Sequence, residues 1–538
     1  MRRVATLVII LTILAIITVP VSATEVQYTI KTNPKNYFNA YTMLHTEKET
    51  LIGGLYTYIV ENKTKTDIAI LRIAEGKNSK GFVYLLQYNN SPVRPAIFDN
   101  PPFIVNSSDG YYLVASGDTE AIQSFDGILI MKLNKELKPE WGEIISAFYN
   151  RTYADGSVKW YRMHISHRDV TVKNGYLYIL AKFLKNLVVI KVSPDGEVLW
   201  ATGVKVTFGL EPAGIDVEGD TVYAVGSNPK SAIGGSRIIL VRMNDNGTVL
   251  NVLSYSHVED APLLMASGVK ASHGRVYIVG IYDVMVNGWR TDYPLVISTT
   301  QNGSPVWSIF LNGPGLLDNA FTVAGNSLYM ESYGSWLYGG KELGLENHIV
   351  VSKITSDGKL EWSVAYKPRG FVIPRTIREP FARDNNIYGA IGFFGATHRV
   401  ILFANPKGDP CWKKLDFQTE YLPLKVHPVG KRYLSVSKVR TEVLKGVLGE
   451  IREIEVDYKK LCLGGTTTTI SPTPTSSTRE TPSTTSTTST ETSHWTSYRG
   501  NRETSTTPSS KSGPKSSGIC GPAMFVGLVL LPASIRRH

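Results

Sequence analysis

Val188-Val189-Ile190-Lys191-Val192-Ser193-Pro194-Asp195-Gly196-Glu197-Val198-Leu199-Trp200 decides the fold. An apolar β-rich run meets Asp-Gly, where glycine supplies the positive φ of a tight turn, and a second strand then opens on tryptophan. The same sentence returns at Ile349–Ile354 with Asp357-Gly358 and Trp362, and at Leu295–Ile297 with Asn302-Gly303 and Trp307. It returns again at Val400–Phe403 with Lys407-Gly408 and Trp412. Ile238–Val241 with Asn246-Gly247 carries Asn251 in the tryptophan position, and Ile128–Ile130 with Trp141 lacks the glycine. The turn glycines 196, 247, 303, 358 and 408 recur every 50–56 residues.

A second marker, a short strand ending on tyrosine, precedes each hairpin. It is plain at Gly175–Ile179, Gly219–Gly226 and Gly274–Gly280, and weaker near Tyr112, Tyr329, Tyr388, Tyr433 and Leu51. About eight copies of one unit of this period predict an all-β chain folded as a single β-propeller of four-stranded blades. Eight blades are favoured over seven. A lone sheet of this kind cannot bury both faces, whereas sheets arranged radially cover one another and keep only short edges. The repeated tryptophans are expected as apolar wedges between neighbouring blades.

The flanks carry the address. Residues 1–23 read as a signal peptide, with Arg2 and Arg3 before an apolar body and Val21-Ser22-Ala23 as cleavage site; an uncleaved anchor is the alternative. Residues 24–463 hold the repeats. Within them Glu25–Lys31 alternates as a strand and is expected to complete the last repeat, near 422–462, which shows three strands. Residues 150–167 read as an insertion, and 228–237, 283–293 and 333–348 as long loops that serve either recognition or capping. Residues 464–518 are a Thr/Ser/Pro-rich stalk, expected to stay unfolded for want of apolar residues and to suit O-glycosylation.

The tail 519–538 contains Cys520-Gly521-Pro522, a short apolar run and terminal arginines. That run is shorter than the roughly 20 residues a spanning helix needs. It resembles the CGP-type C-terminal sorting signal (CGP-CTERM) of surface proteins in hyperthermophilic archaea such as Thermococcales. The resemblance implies a processing signal, lipidation at Cys520 and a protein anchored at the outer face of the membrane; a weak hydrophobic anchor is the alternative. The Asp-Gly-Glu-Val-Leu-Trp unit is similar in blade construction to quinone-dependent dehydrogenase propellers and to outer-membrane assembly propellers. Those enzymes carry adjacent cysteines, which this chain lacks, so no cofactor is expected.

The formal net charge is +11. Arg2 and Arg3 supply two of these charges and residues 466–538 four, leaving five over the repeats with no basic run. Nucleic acid, which needs clustered cations, is not expected as a partner. Cys411 and Cys462 are a candidate disulfide in an exported chain, with two buried thiols as the alternative. Asn62, Asn89, Asn106, Asn150, Asn246 and Asn302 each precede Ser or Thr by two positions and are candidate N-glycosylation sites. Asn246 and Asn302 also fit turns for backbone reasons alone.

Chemistry is sparse. His164-x-x-His167 lacks a completing carboxylate and alternation sets its members on opposite faces, so no metal is expected. Asn244-Asp245-Asn246-Gly247 lacks the acids of a calcium loop and reads as a turn. No nucleophile elbow, phosphate loop or dinucleotide fingerprint occurs. Two function classes remain: a binding or scaffold module for a saccharide, peptide or surface protein, and a polymer-degrading hydrolase or lyase. For the second, Asp283, Asp292, Asp318, Glu342, Glu346 and Asp384 are the candidate acids.

Overall fold

The computed structural model describes residues 26–460 apart from 31–35, 47–48, 75–78, 96–101, 120–126, 208, 229–235, 260–261, 287–288, 314–315, 335–347, 368–372, 377–380, 384–385, 395–398, 405 and 408–411. The expected leader, stalk and tail, and Cys411, Cys462 and Cys520, lie outside the described residues. Described residues are strand throughout their regular structure, save one turn of 3-10 helix at Lys431–Tyr433. The chain is all-β.

Six antiparallel four-stranded meanders follow one another at 37–88, 103–152, 165–206, 211–257, 263–311 and 316–366. A seventh, at 373–404, is completed by Val26–Ile30, which pairs with Arg399–Ala404. The first strand of each meander touches the first strand of the next. Asn386–Phe394 of the seventh touches Tyr37–His45 of the first, so the succession returns to its start. This is the arrangement of a β-propeller.

Two-sided burial explains why the strands read as continuous apolar runs instead of alternating. Val188, Ile190 and Val192 enter the core shared by the second and third meanders. Their neighbours Leu187 and Val189 point the other way, into the core shared with the fourth. Further shared cores join the first to the second meander, the fourth to the fifth, the fifth to the sixth and the sixth to the seventh. Each of the first six sheets is thus hydrophobic on both faces and stable only between neighbours.

The turn and the tryptophan of the repeat act on each other across meanders. Gly247 has φ +82°, and a Cβ there would lie 2.7 Å from the Trp200 ring of the preceding meander. Trp200 Nε1 donates to the Asp245 carbonyl of that turn at 2.9 Å, and Trp307 Nε1 donates likewise to Ser356 at 2.8 Å. Where Asn251 replaces tryptophan, its Nδ2 still donates to the Asn302 carbonyl, at 3.3 Å. The wedge is therefore also a latch. Inner strands are laced similarly: Asp169 accepts from the Ile215 N–H and Asp216 from the Ala271 N–H, both at 2.8 Å in the next meander.

Among the described residues the expected eighth repeat does not form as a meander of its own. Residues 413–460 instead form a belt that retraces the circuit in reverse, adding an outer strand to one meander after another. Lys413–Leu415 pairs with the sixth meander, Thr419–Tyr421 with the fifth, Leu424–Pro428 with the fourth and Leu434–Lys438 with the third. Arg440–Lys445 then pairs with the second, and Leu448–Lys460 with the first and with Val26–Ile30. Between these strands one attachment recurs. The N–H groups of Leu422, Val429, Val439 and Val447 each donate at 2.9 Å to Ser308, Val252, Ala201 and Gly142, the residues just after the tryptophan position. Their apolar side chains plug the cores between meanders.

Three local readings change accordingly. The N-terminal strand lies between the seventh meander and the belt, and completes the former. Trp412 opens no fourth strand; it is buried against Tyr366 at the start of the belt, with ring centroids 5.4 Å apart. Residues 283–286 and 289–293 are no loop, because Arg275–Val286 and Trp289–Thr300 pair along them.

Candidate functional site

The expected insertion at 150–167 is a hairpin. Pro139–Thr152 overruns the outer edge of the second meander and turns at Asp155-Gly156, where Gly156 has φ +81°, to pair with Val158–Met163. Ser157 donates its hydroxyl and N–H to Asp155, which holds that carboxyl below the usual range. The hairpin is rich in rings and cations, and strand alternation sorts them onto two faces.

One face carries Phe148, Asn150, Trp160 and Arg162, with Trp160 directly opposite Asn150. The belt contributes Arg440, which pairs with Phe148; its guanidinium lies 4.8 Å from the Trp160 ring and 5.7 Å from that of Phe148. Arg162 sits 5.4 Å over Phe148 and pairs with Glu442 of the belt. The other face carries Tyr149 and Tyr161, stacked at 5.9 Å, with the Tyr161 and Tyr153 hydroxyls hydrogen-bonded. Arg151 and Lys159 lie over Tyr153 at 5.4 and 5.3 Å. Trp160 and Tyr161 are 44% and 37% exposed, an unusual state for large rings held in ordered strands.

Among the described residues Arg151, Lys159 and Arg440 have no carboxylate partner; rings hold them in place. Cation–π contact orients a cation without cancelling its charge. The arrangement offers flat apolar faces and fixed positive charge together, which suits recognition.

The candidate acids fare differently. Asp283 and Asp292 are directly opposite in register, so the structure brings together two carboxyls whose proximity no spacing rule reveals. Both are buried, Asp292 completely. Glu342, Glu346 and Asp384 lie outside the described residues, as does the side chain of Asp318. His167 is buried with Nδ1 2.9 Å from Ser116 Oγ in the preceding meander. Asp245 accepts from Lys191 Nζ at 2.6 Å and from the Tyr178 hydroxyl, which makes its turn a further interlock between meanders. Among the described residues no three or more His, Cys, Asp or Glu side chains gather in a metal-holding group. All six sequon asparagines are exposed, Asn246 and Asn302 in turns and Asn106 and Asn150 on strands.

Sequence reasoning found the hairpin as a departure from the repeat, but missed Arg440 and Glu442. They arrive from nearly 300 positions away on a belt with no repeat signature of its own.

No family model and no curated protein matches this chain. Among solved structures it is similar to Drosophila Plexin A in complex with Semaphorin 1b, at 8% identity and a TM-score of 0.36. It is similar also to the extracellular domains 1-2 of Drosophila Semaphorin 1b, at 10% identity and 0.31. Each match covers 71% of this chain and 87% of the other. Likeness this distant adds no weight; fold and site rest on the pairings and side chains above. Among the described residues no helix is long and apolar enough to cross a membrane.

Proposed function

We propose that this chain is an exported, surface-tethered binding module: a seven-bladed β-propeller closed by its N-terminal strand and braced by the belt. The seven meanders are its blades. In this reading residues 464–518 are the glycosylated stalk, Cys520 the point of lipid attachment, and the six exposed sequons sites of N-glycosylation. Cys411 and Cys462 form a disulfide. The ligand is a saccharide, a peptide or a neighbouring surface protein.

The observation that carries this reading is the 139–163 hairpin, where exposed rings and cations without carboxylate partners stand clear of the packed blades. Desolvated aromatic and arginine side chains are the usual anchors of recognition surfaces. Burial of Asp283 and Asp292 argues against a hydrolase working on polymer through that pair. The test presents the full exported chain and its Trp160→Ala/Tyr161→Ala variant to a glycan and peptide array. The reading expects a specific ligand whose signal collapses in the variant; equal signals from both proteins would remove the hairpin from the account.

A further inference from the structure

We infer that the outer belt is a binding rim for an acidic polysaccharide, a polymer carrying carboxylate or sulfate groups on sugar rings. This rests on reading the chain as an exported binding module and names the ligand class.

Residues 413–445 carry eight cations, Lys413, Lys414, Lys425, Lys431, Arg432, Lys438, Arg440 and Lys445, against three carboxylates, Asp416, Glu420 and Glu442. That is +5, the entire net charge of the region between residues 24 and 465, whose remainder balances 40 cations with 40 carboxylates. The excess positive charge is thus carried by one continuous stretch of chain, which the fold lays out along the outer strands of the meanders. All eight cations are exposed. Lys414 and Lys445 lie near Asp416 and Glu143 at 3.9 and 3.6 Å, and Lys425 donates to the Val258 carbonyl. Among the described residues the other five have no carboxylate partner. Rings punctuate the same strip: Tyr421 is 73% exposed, Arg432 lies 4.5 Å over the half-exposed Tyr433, and Arg440 covers Trp160.

Three features select the occupant. The strip follows the outer strands of five successive meanders, a path that a flexible polymer can trace, whereas a flat bilayer meets only a short arc of it. The cations are sparse. Lys414 and Lys425 lie on the outer strands of two different meanders, the sixth and the fourth, whereas a nucleic acid strand presents a phosphate about every 3.4 Å. The interleaved rings offer flat apolar faces to the C–H side of sugar rings, and guanidinium groups pair in two-pronged fashion with carboxylate or sulfate.

The test uses the full chain and its Lys431→Gln/Arg432→Gln/Lys438→Gln variant. Arg440 is spared so that the hairpin stays intact, and all three replaced side chains are exposed. Binding to alginate, neutral dextran, poly(dT) and phosphatidylglycerol-rich vesicles is measured from about 50 to 200 mM salt. The inference expects alginate to bind in preference to the other three. It also expects its affinity to fall with salt, and the variant, with an unchanged unfolding midpoint, to bind about tenfold more weakly with a shallower salt slope. It is overturned if alginate is not bound at the lowest salt, if the variant binds it equally well, or if poly(dT) or vesicles bind more tightly. Loss of the alginate effect while an array ligand still depends on Trp160 would strike this inference alone. Indifference to both the belt and the hairpin substitutions would strike the module reading as well.

Discussion

Gly247→Ala tests the latch between meanders, because the structure supplies its own control. Gly247 and Gly274 have similar backbones, with φ +82° and +75°. A Cβ at Gly274 meets nothing within 4 Å, whereas one at Gly247 would press on the Trp200 ring at 2.7 and 2.8 Å. Left-handed backbone costs a non-glycine residue roughly 1–2 kcal/mol, and Gly274→Ala should show that alone. Gly247→Ala adds overpacking, typically about 1–3 kcal/mol in a packed site, for a total of about 2–5 kcal/mol. Trp200→Ala removes the ring together with its bond to the Asp245 carbonyl. In that background only the Thr202 hydroxyl, 3.0 Å from the added Cβ, remains in the way, so the cost of Gly247→Ala should fall towards that of Gly274→Ala, giving a coupling of about 1–3 kcal/mol. The assay is guanidinium unfolding followed by circular dichroism, with the slope checked for constancy across the wild type and its four variants. Equal costs for the two glycines, or no relief from Trp200→Ala, would refute the latch.

Two further predictions concern pH. Burial holds the Glu143 carboxyl above its usual range, with Lys445 pulling against it. The folded state therefore binds that proton more tightly than the unfolded chain. Stability from this group is complete below the ordinary value of 4.5 and declines as pH rises through the folded value. Glu143→Gln should flatten that decline in chemical unfolding; a difference from wild type that stays constant with pH contradicts it. Burial also pushes Asp245 upward, but donation from Lys191 and Tyr178 outweighs it and leaves the carboxyl below 3.8. Its contribution is present above 3.8 and lost as pH falls through the lower folded value. Asp245→Asn should cost about 1–2 kcal/mol near neutrality, less than for a fully buried pair because the carboxylate is half-exposed and screened. The cost should vanish in acid.

Local chemistry made the meanders legible. Asp195-Gly196 and Trp200 mark a turn and a strand start, and the unbroken apolar run Val188–Ile190 announces burial on both faces. Leu424–Pro428 and Leu434–Lys438 have no such signature: they are short, largely exposed, and find partners some 170 to 240 residues earlier. Tyr433 made 422–462 look like one more copy of the repeat, although it ends a 3-10 turn between two belt strands. The site divides in the same way. Trp160 and Tyr161 stood out as rings in an insertion, whereas Arg440 joins them only through sheet register. Asp283 and Asp292 were visible as acids, yet their opposition depends on the hairpin continuing past the length of its neighbours.

Residues 413–460 retrace the circuit as outer strands instead of folding as a repeat of their own. Lys205 and Ser435 are both exposed and directly opposite in the pairing of the third meander with the belt. A chain carrying Lys205→Cys and Ser435→Cys, with the three native cysteines replaced by serine, should form an intramolecular disulfide on mild oxidation, detected as a linked peptide by mass spectrometry. Recovery of both cysteines unlinked from the folded protein would contradict the belt.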